Sequence, residues 1–465
     1  MGGHLKFIPF EKLFVFEKVV ENFAADSLIS GYVSREAASI SGESPHSINA
    51  IAEQKIFMNP DKNGFYALDN FFRALVNDGE HSTIHIAHYG DSQLEGDRIT
   101  SQLRTKLQAR FGGSGYGYMP LTDIASPISY ERNSSANWTK YNVFSKKLKR
   151  GENYGLSGAA FKFAYSINND NSPESGKSEN DTLQENNIDT EKTLRHYTSA
   201  NVSYKFNTNR NFDKAYLLFG RVKTNVSLKI FGDDNESIFN GNLYSSEAYR
   251  NSRFNKLDIP VSAINKKISI KIAGDNTTSF YGMYLDGANK IQVDNYSIRG
   301  HSGEGLNLLD EDFVKLQLRY IDTRLIILQF GGNSVPYVLN TRQRDYMEKM
   351  YSRIIEKFRI LMPGASILIV GVGDMAKSFN GVYKSYPGLT VVRDALKMAA
   401  LKWNCAFWDL YETMGGENSI LKWANRGLAA KDGHFTLGGE RVIANELADH
   451  IIREYENYKK RNDIQ

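Results

Sequence analysis

The sequence predicts an α/β protein: a parallel sheet covered by helices, interrupted by an antiparallel β-sandwich and preceded by a helical segment. Three observations predict it. A short apolar run at residues 83–89 ends in a glycine and leads into a helical stripe. From residue 296 onward strand-like and helix-like runs alternate, the rhythm of parallel strands joined by crossover helices. Between these stretches strand-like runs follow one another with turn residues and no crossover helix, so their sheet is expected to be antiparallel. The expected boundaries are 1–80 for the helical segment, 81–125 with 295–465 for the parallel-sheet domain, and 126–294 for the inserted sandwich.

Taken in order, the apolar stripes of 10–23 and 66–75 read as helices, with the turn Asp61-Lys62-Asn63-Gly64 between them. Thr83–Tyr89 is a buried strand, Gly90-Asp91-Ser92 a tight turn, and Leu94, Ile99, Leu103 and Leu107 one face of a helix that Gly112 and Gly113 stop. The polar tract 168–193 reads as a loop. Strands are expected at 201–206, 214–219, 226–230, 256–259, 268–272 and 279–285. Thr323–Phe330 is the next parallel strand, ended by Gly331-Gly332-Asn333. Then come a helix at 341–361, a strand at 365–372, a helix at 390–403, a strand at 404–410 and a closing helix at 437–460.

Composition sets limits on function. The chain has 465 residues, 41% hydrophobic and 24% charged, which fits a folded protein and not a disordered one. Basic minus acidic residues is 57 − 53 = +4, too small an excess over this length for a nucleic-acid partner. The single Cys405 excludes an intrachain disulfide and a zinc site built on several cysteines. No segment reads as transmembrane: 360–373 is apolar but short and broken by Pro363, Gly364 and Gly371. The first twenty residues carry Lys6, Glu11, Lys12, Glu17 and Lys18 and do not form a signal peptide as they stand.

Three polar groups fall where open parallel sheets build sites, at or near the carboxyl ends of strands or a helix start: Ser92, Asn333 and Asp432-Gly433-His434. A serine, a histidine and a carboxylate held together perform nucleophilic acyl transfer. His434 would take the Ser92 proton, and Asp432 would orient the imidazole. The Ser92 backbone N–H and the Asn333 amide are candidate donors to the oxyanion. The Gly-x-Ser-x-Gly elbow is absent, since Leu94 stands two beyond Ser92.

These residues resemble the SGNH, or GDSL-type, hydrolase family. Gly90-Asp91-Ser92 is similar to its nucleophile block, Gly331-Gly332-Asn333 to its Gly-x-Asn block and Arg299-Gly300-His301-Ser302-Gly303 to its glycine block. Asp432-Gly433-His434-Phe435-Thr436 is similar to its Asp-x-x-His block. The resemblance covers 83–117 and 296–455. It implies a flavodoxin-like three-layer domain and a serine esterase without cofactor or metal. It also implies a backbone oxyanion donor at Gly303, with Gly300 second. One departure stands out: the family places Asp three residues before His, where this chain has Lys431. Asp432 reaches the ring through a different turn, or a backbone carbonyl or another acid such as Asp374 orients it.

An insertion between the nucleophile and glycine blocks resembles that of bacterial peptidoglycan O-acetylesterases, where a carbohydrate-binding-like module occupies this place. Together with 90–98 and 111–115, which look like Bacteroidetes members, it implies an acetylated polysaccharide or peptidoglycan substrate. The implied compartment is the periplasm or cell envelope, with a signal peptide absent from this sequence. The same triad serves acetyl transfer to polysaccharide, and Lys431 also leaves open an inactive glycan-binding protein. Asp91 is expected to support its turn, and His85 and His88 to be core or rim histidines without a clear carboxylate partner. The run Lys146–Arg150 reads as solvated surface, and Tyr204, Phe206, Phe219, Tyr281 and Tyr284 as core.

Overall fold

The computed structural model describes residues 56–464 except 80, 165–197, 207–209, 262–265, 276, 288, 339 and 341. The stripe expected at 10–23 and the loop expected at 168–193 lie outside the described residues, and the stripe at 66–75 is a helix, α1 (Asp69–Asn77).

One sheet is parallel except at an edge. Its strands are β1 (Ile56–Phe57), β2 (Thr83–Gly90), β14 (Lys290–Ser297), β15 (Thr323–Gln329), β16 (Ser366–Val370) and β19 (Ala406–Trp408). They run in the order β1-β19-β16-β15-β2-β14, with only the short β1 antiparallel to its neighbour. Setting β1 aside, the chain visits the sheet in the order 2-1-3-4-5, the doubly wound order whose crevice opens between its first and third strands. Those are β2 and β15, which are parallel neighbours.

Alternate residues of these strands feed two buried clusters. Leu325 and Ile327 point to one face with α1, α2 (Arg98–Phe111) and α7 (Leu437–Arg461). Ile326 and Leu328 point to the other with α4 (Arg342–Leu361) and α5 (Leu389–Lys402). Period-2 alternation with both faces covered explains why these strands are nearly all apolar.

Between β2 and β14 the chain builds two antiparallel sheets. One has the order β10-β9-β12-β7-β4, formed by Ser237–Asn242, Ser227–Phe231, Lys267–Gly274, Thr198–Phe206 and Tyr130–Ser134. The other has the order β11-β8-β13-β6-β5, formed by Phe254–Ile259, Lys214–Gly220, Phe280–Asp286, Ala159–Phe163 and Trp138–Asn142. In it β3 (Gly115–Met119) also pairs with β13. Val202, Ile230 and Ile270 of the first and Phe161, Leu217 and Phe280 of the second belong to one buried cluster. The aromatic residues expected in the core are buried there, and Lys146, Lys147, Lys149 and Arg150 are exposed.

Two sequence boundaries move. Antiparallel pairing begins at β3, before residue 126, and the return to the parallel sheet begins at Lys290, before residue 295. A third correction concerns His85, which does have carboxylate partners. Its Nδ1 lies 2.8 Å from Asp294 and its Nε2 3.6 Å from Asp286, all three side chains buried. Burial opposes its charge, but the two acids prevail and raise its pKa to about 9. His88 bonds Gln329 at 3.0 Å, and burial lowers its pKa to about 4.

Candidate active site

Ser92 follows β2 in a turn closed by the Leu94 N–H to the Asp91 carbonyl (3.2 Å) and the Glu95 N–H to the Ser92 carbonyl (3.3 Å). Leu94 is fully buried under this turn, and α2 starts at Arg98. Behind the turn Asp97 forms a buried two-pronged pair with Arg104, at 2.8 and 2.9 Å. That fork braces the start of the helix, and Arg104 Nε ties the helix to the sheet by donating to the Val293 carbonyl of β14 at 2.8 Å.

His434 sits on a loop before α7, whose N-cap Thr436 accepts from the Gly439 N–H. The loop is tied at both ends: the Ala430 N–H donates to the His434 carbonyl (2.7 Å), and the Ala376 N–H to the Lys431 carbonyl (2.8 Å). Ser92 Oγ lies 3.3 Å from His434 Nε2. Asp432 Oδ2 lies 3.2 Å from His434 Nδ1, and its Oδ1 accepts the His434 backbone N–H at 3.1 Å. With the imidazole proton on Nδ1 facing Asp432, Nε2 is left to accept the serine proton. The structure thus brings Ser92, His434 and Asp432 together. Asp374 is engaged elsewhere, by the Ser385 hydroxyl (2.6 Å) and the Ile420 N–H (2.9 Å).

The one-residue shortening is accommodated by Gly433. Its φ of +98° is a left-handed conformation that lets the chain curl Asp432 back onto the ring. A Cβ there would stand 2.8 Å from Met375 Cβ. Lys431, three residues before His434, lies over the Tyr383 ring, 4.2 Å from its centroid.

Asn333 follows β15 and connects the blocks. Its amide nitrogen donates to Asp91 Oδ2 (3.0 Å) and to the His301 carbonyl (3.2 Å). Asp91 Oδ1 accepts the Gln93 N–H at 3.0 Å, so Asp91 does support the turn. Burial raises the Asp91 carboxyl to about 6. Gly303 has φ +98°, and a Cβ on it would press 3.1 Å from both Ile354 and Phe330. Gly300 also has positive φ, beside Phe144. His301 between them is buried, bonds the Gly305 N–H through Nε2 (3.0 Å) and is lowered to about 3 by burial.

Charge at the pair is mutual. The hydrogen bond that the His434 ring donates to Asp432 holds the His434 pKa above its ordinary value, although partial desolvation opposes the charge. The same bond, accepted from His434, lowers the pKa of Asp432.

One site residue escaped the sequence reading. Gln93, next to the nucleophile, donates from Nε2 to the Gly433 carbonyl at 2.9 Å. A glutamine in a loop carries no pattern that would reveal this bond.

Comparison with solved structures matches this arrangement at the level of the fold. The chain is similar to a structure described as a peptidoglycan O-acetylesterase in action, with a TM-score of 0.61 and 18% identity, over 87% of this chain and 100% of that one. The likeness is one of fold. More distant matches include a family two carbohydrate esterase from Cellvibrio japonicus (TM-score 0.24, 12% identity, 56% of this chain and 92% of that one). Another is a putative GDSL-like lipase from Bacteroides ovatus (TM-score 0.20, 10% identity, 56% and 84%). No family model and no curated protein matches the sequence. In this fold Ser92 and Asn333 stand beyond the carboxyl ends of the two strands that flank the topological switch. Among the described residues no helix is long and apolar enough to cross a membrane.

Proposed function

We propose that this chain is a serine esterase that hydrolyses O-acyl, above all O-acetyl, esters of a bacterial envelope or dietary polysaccharide. The observation that carries the reading is the relay Ser92 Oγ–His434 Nε2 and His434 Nδ1–Asp432. His434 takes the serine proton as Oγ attacks the ester carbonyl. Asp432 holds the imidazole in the right tautomer and stabilises the imidazolium. The oxyanion takes donors from the Ser92 N–H, the Gly303 N–H and the Asn333 amide. Collapse breaks the ester C–O bond, and the departing sugar oxygen takes the proton from His434 and leaves as the hydroxyl. Water, deprotonated by the same histidine, then hydrolyses the acyl-enzyme.

The two antiparallel sheets are read as a sandwich module inserted between the nucleophile and the glycine block. A polysaccharide substrate and an envelope location accord with the likeness to the peptidoglycan O-acetylesterase structure. The test is intact mass after exposure to an organofluorophosphonate. One adduct on the native protein, absent from Ser92→Ala, is the expected result. No adduct on the native protein would sink the reading. Acetate release from acetylated glycans, unchanged by added acceptor sugar, separates hydrolysis from transfer.

A further inference from the structure

Next to the base stands a hairpin that the acyl chemistry does not use. It is formed by β17 (Ala376–Phe379) and β18 (Val382–Ser385), joined by Asn380-Gly381, both with positive φ. That is the two-residue turn suited to twisted strands. Its first strand is bonded to the base loop through the Ala376 N–H and the Lys431 carbonyl, 2.8 Å apart.

Lys377 stands directly opposite Lys384, so both point to one face, with Phe379 and Val382 beside them. Both lysines are exposed, as is Val382 at 56%. Like charges directly opposed destabilise a strand pair, and a two-stranded hairpin has little stability to spare. No Asp or Glu occurs from Met375 to Arg393, so the stretch itself supplies no counter-charge. The Lys377 ammonium lies 4.9 Å from the Phe379 ring centroid and 5.2 Å from that of Tyr386. Tyr386 follows the hairpin, and its backbone N–H bonds the Met375 carbonyl at 3.0 Å. The hairpin therefore presents two opposed cations and apolar surface on one face, and its first strand is tied to the loop that carries Asp432 and His434.

We propose that this face is a binding subsite for a carboxylate-bearing sugar of the same polysaccharide whose ester sits at Ser92. The carboxylate bridges Lys377 and Lys384, and the sugar ring packs on Phe379 and Val382. Pairing an anion relieves the lysine repulsion, and an apolar floor suits the C–H face of a pyranose. The inference rests on the esterase reading, and it narrows the substrate to an acidic glycan.

The test uses the full chain, Lys377→Gln with Lys384→Gln in the same protein, and polygalacturonate as the anionic probe. Neither lysine belongs to the proposed catalytic machinery. Calorimetry on the Ser92→Ala background is expected to show polygalacturonate binding that weakens about tenfold in the double variant and with added salt. Binding of uncharged xylan should not change. Hydrolysis of 4-nitrophenyl acetate by the Ser92 protein should be equal with and without the lysine changes. Absence of polygalacturonate binding, or equal binding by parent and double variant, would overturn the subsite. Failure to hydrolyse any ester would overturn the esterase reading instead, and the calorimetry still decides the hairpin.

Discussion

Asp432 and His434 hold each other twice across a single residue: one carboxylate oxygen takes the histidine backbone N–H at 3.1 Å, the other faces its ring Nδ1 at 3.2 Å. A tight turn thereby brings a carboxylate onto the ring across one intervening residue. Both side chains are more than half exposed, at 61% and 51%, so geometry and not a dry environment makes the pairing.

Asp432→Asn removes the charge but keeps the size. Turnover should fall by roughly a hundred- to ten-thousandfold, since the orienting carboxylate of a triad carries effects of this order. The pH profile gives a second readout. The base works when neutral, and Asp432 raises the pKa of His434. So kcat/KM should rise with pH through a midpoint above the ordinary histidine value of about 6.5. In Asp432→Asn that midpoint should move down. Rates near normal with an unmoved midpoint would show that another group orients the ring.

Gly433→Ala tests the turn itself. At φ +98° an added Cβ is strained, and it would meet Met375 Cβ at 2.8 Å. The loop must shift, and the base with it. Turnover is expected to fall at least tenfold, with Tm lowered by only a few degrees because the strain amounts to about 1–2 kcal/mol. Full activity in Gly433→Ala would mean the turn is not needed to deliver Asp432.

What the sequence makes legible follows from burial. Strands buried on both faces, such as β2, β15 and β16, are mostly apolar runs and stand out. β14 does not. Its Ile291 and Val293 alternate with Gln292 and Asp294, which reads as a half-exposed strand, yet those polar side chains are fully buried. Asp294 is buried against His85, a partner 209 residues away. β3 was hidden by Gly115 and Gly117, which look like loop. At the site, the serine, histidine and asparagine announce themselves by following strands or opening a helix. The bonds of Asp91 to Asn333 and of Gln93 to Gly433 join segments hundreds of residues apart and leave no local trace.

Asn333 enters the reaction with its amide already engaged, one bond to Asp91 and one to the His301 carbonyl. An oxyanion must share or displace one of these donations. The gain then comes only as negative charge develops, which is where a donor accelerates a reaction. Asn333→Ala should lower kcat by roughly a hundredfold or more with little change in KM. A change confined to KM would assign the amide to ground-state binding.

Gln93 is a positioning residue that reaches the base through the backbone. Its side chain holds the Gly433 carbonyl, while Asp432 holds the N–H of the same peptide unit. Clamped at both ends, that peptide has a fixed plane, and His434 leaves it at a fixed angle toward Ser92. The backbone N–H of Gln93 is meanwhile bonded to Asp91, so the clamp starts from the nucleophile turn itself. In Gln93→Ala the Gly433 carbonyl loses its donor at a half-buried place, and the peptide can rotate. The Ser92–His434 separation of 3.3 Å should then spread over longer values. Misplacing a reacting group by about 1 Å can cost about a hundredfold. The expected result for Gln93→Ala is kcat lowered ten- to a hundredfold with KM nearly constant. The pH midpoint should also fall, because a free peptide loosens the grip of Asp432 on the ring. Gln93→Glu removes the donor while preserving shape, so it should behave like the alanine variant and not like the parent. A purely structural role would instead lower Tm, leave the pH midpoint in place and allow Gln93→Glu to restore the rate.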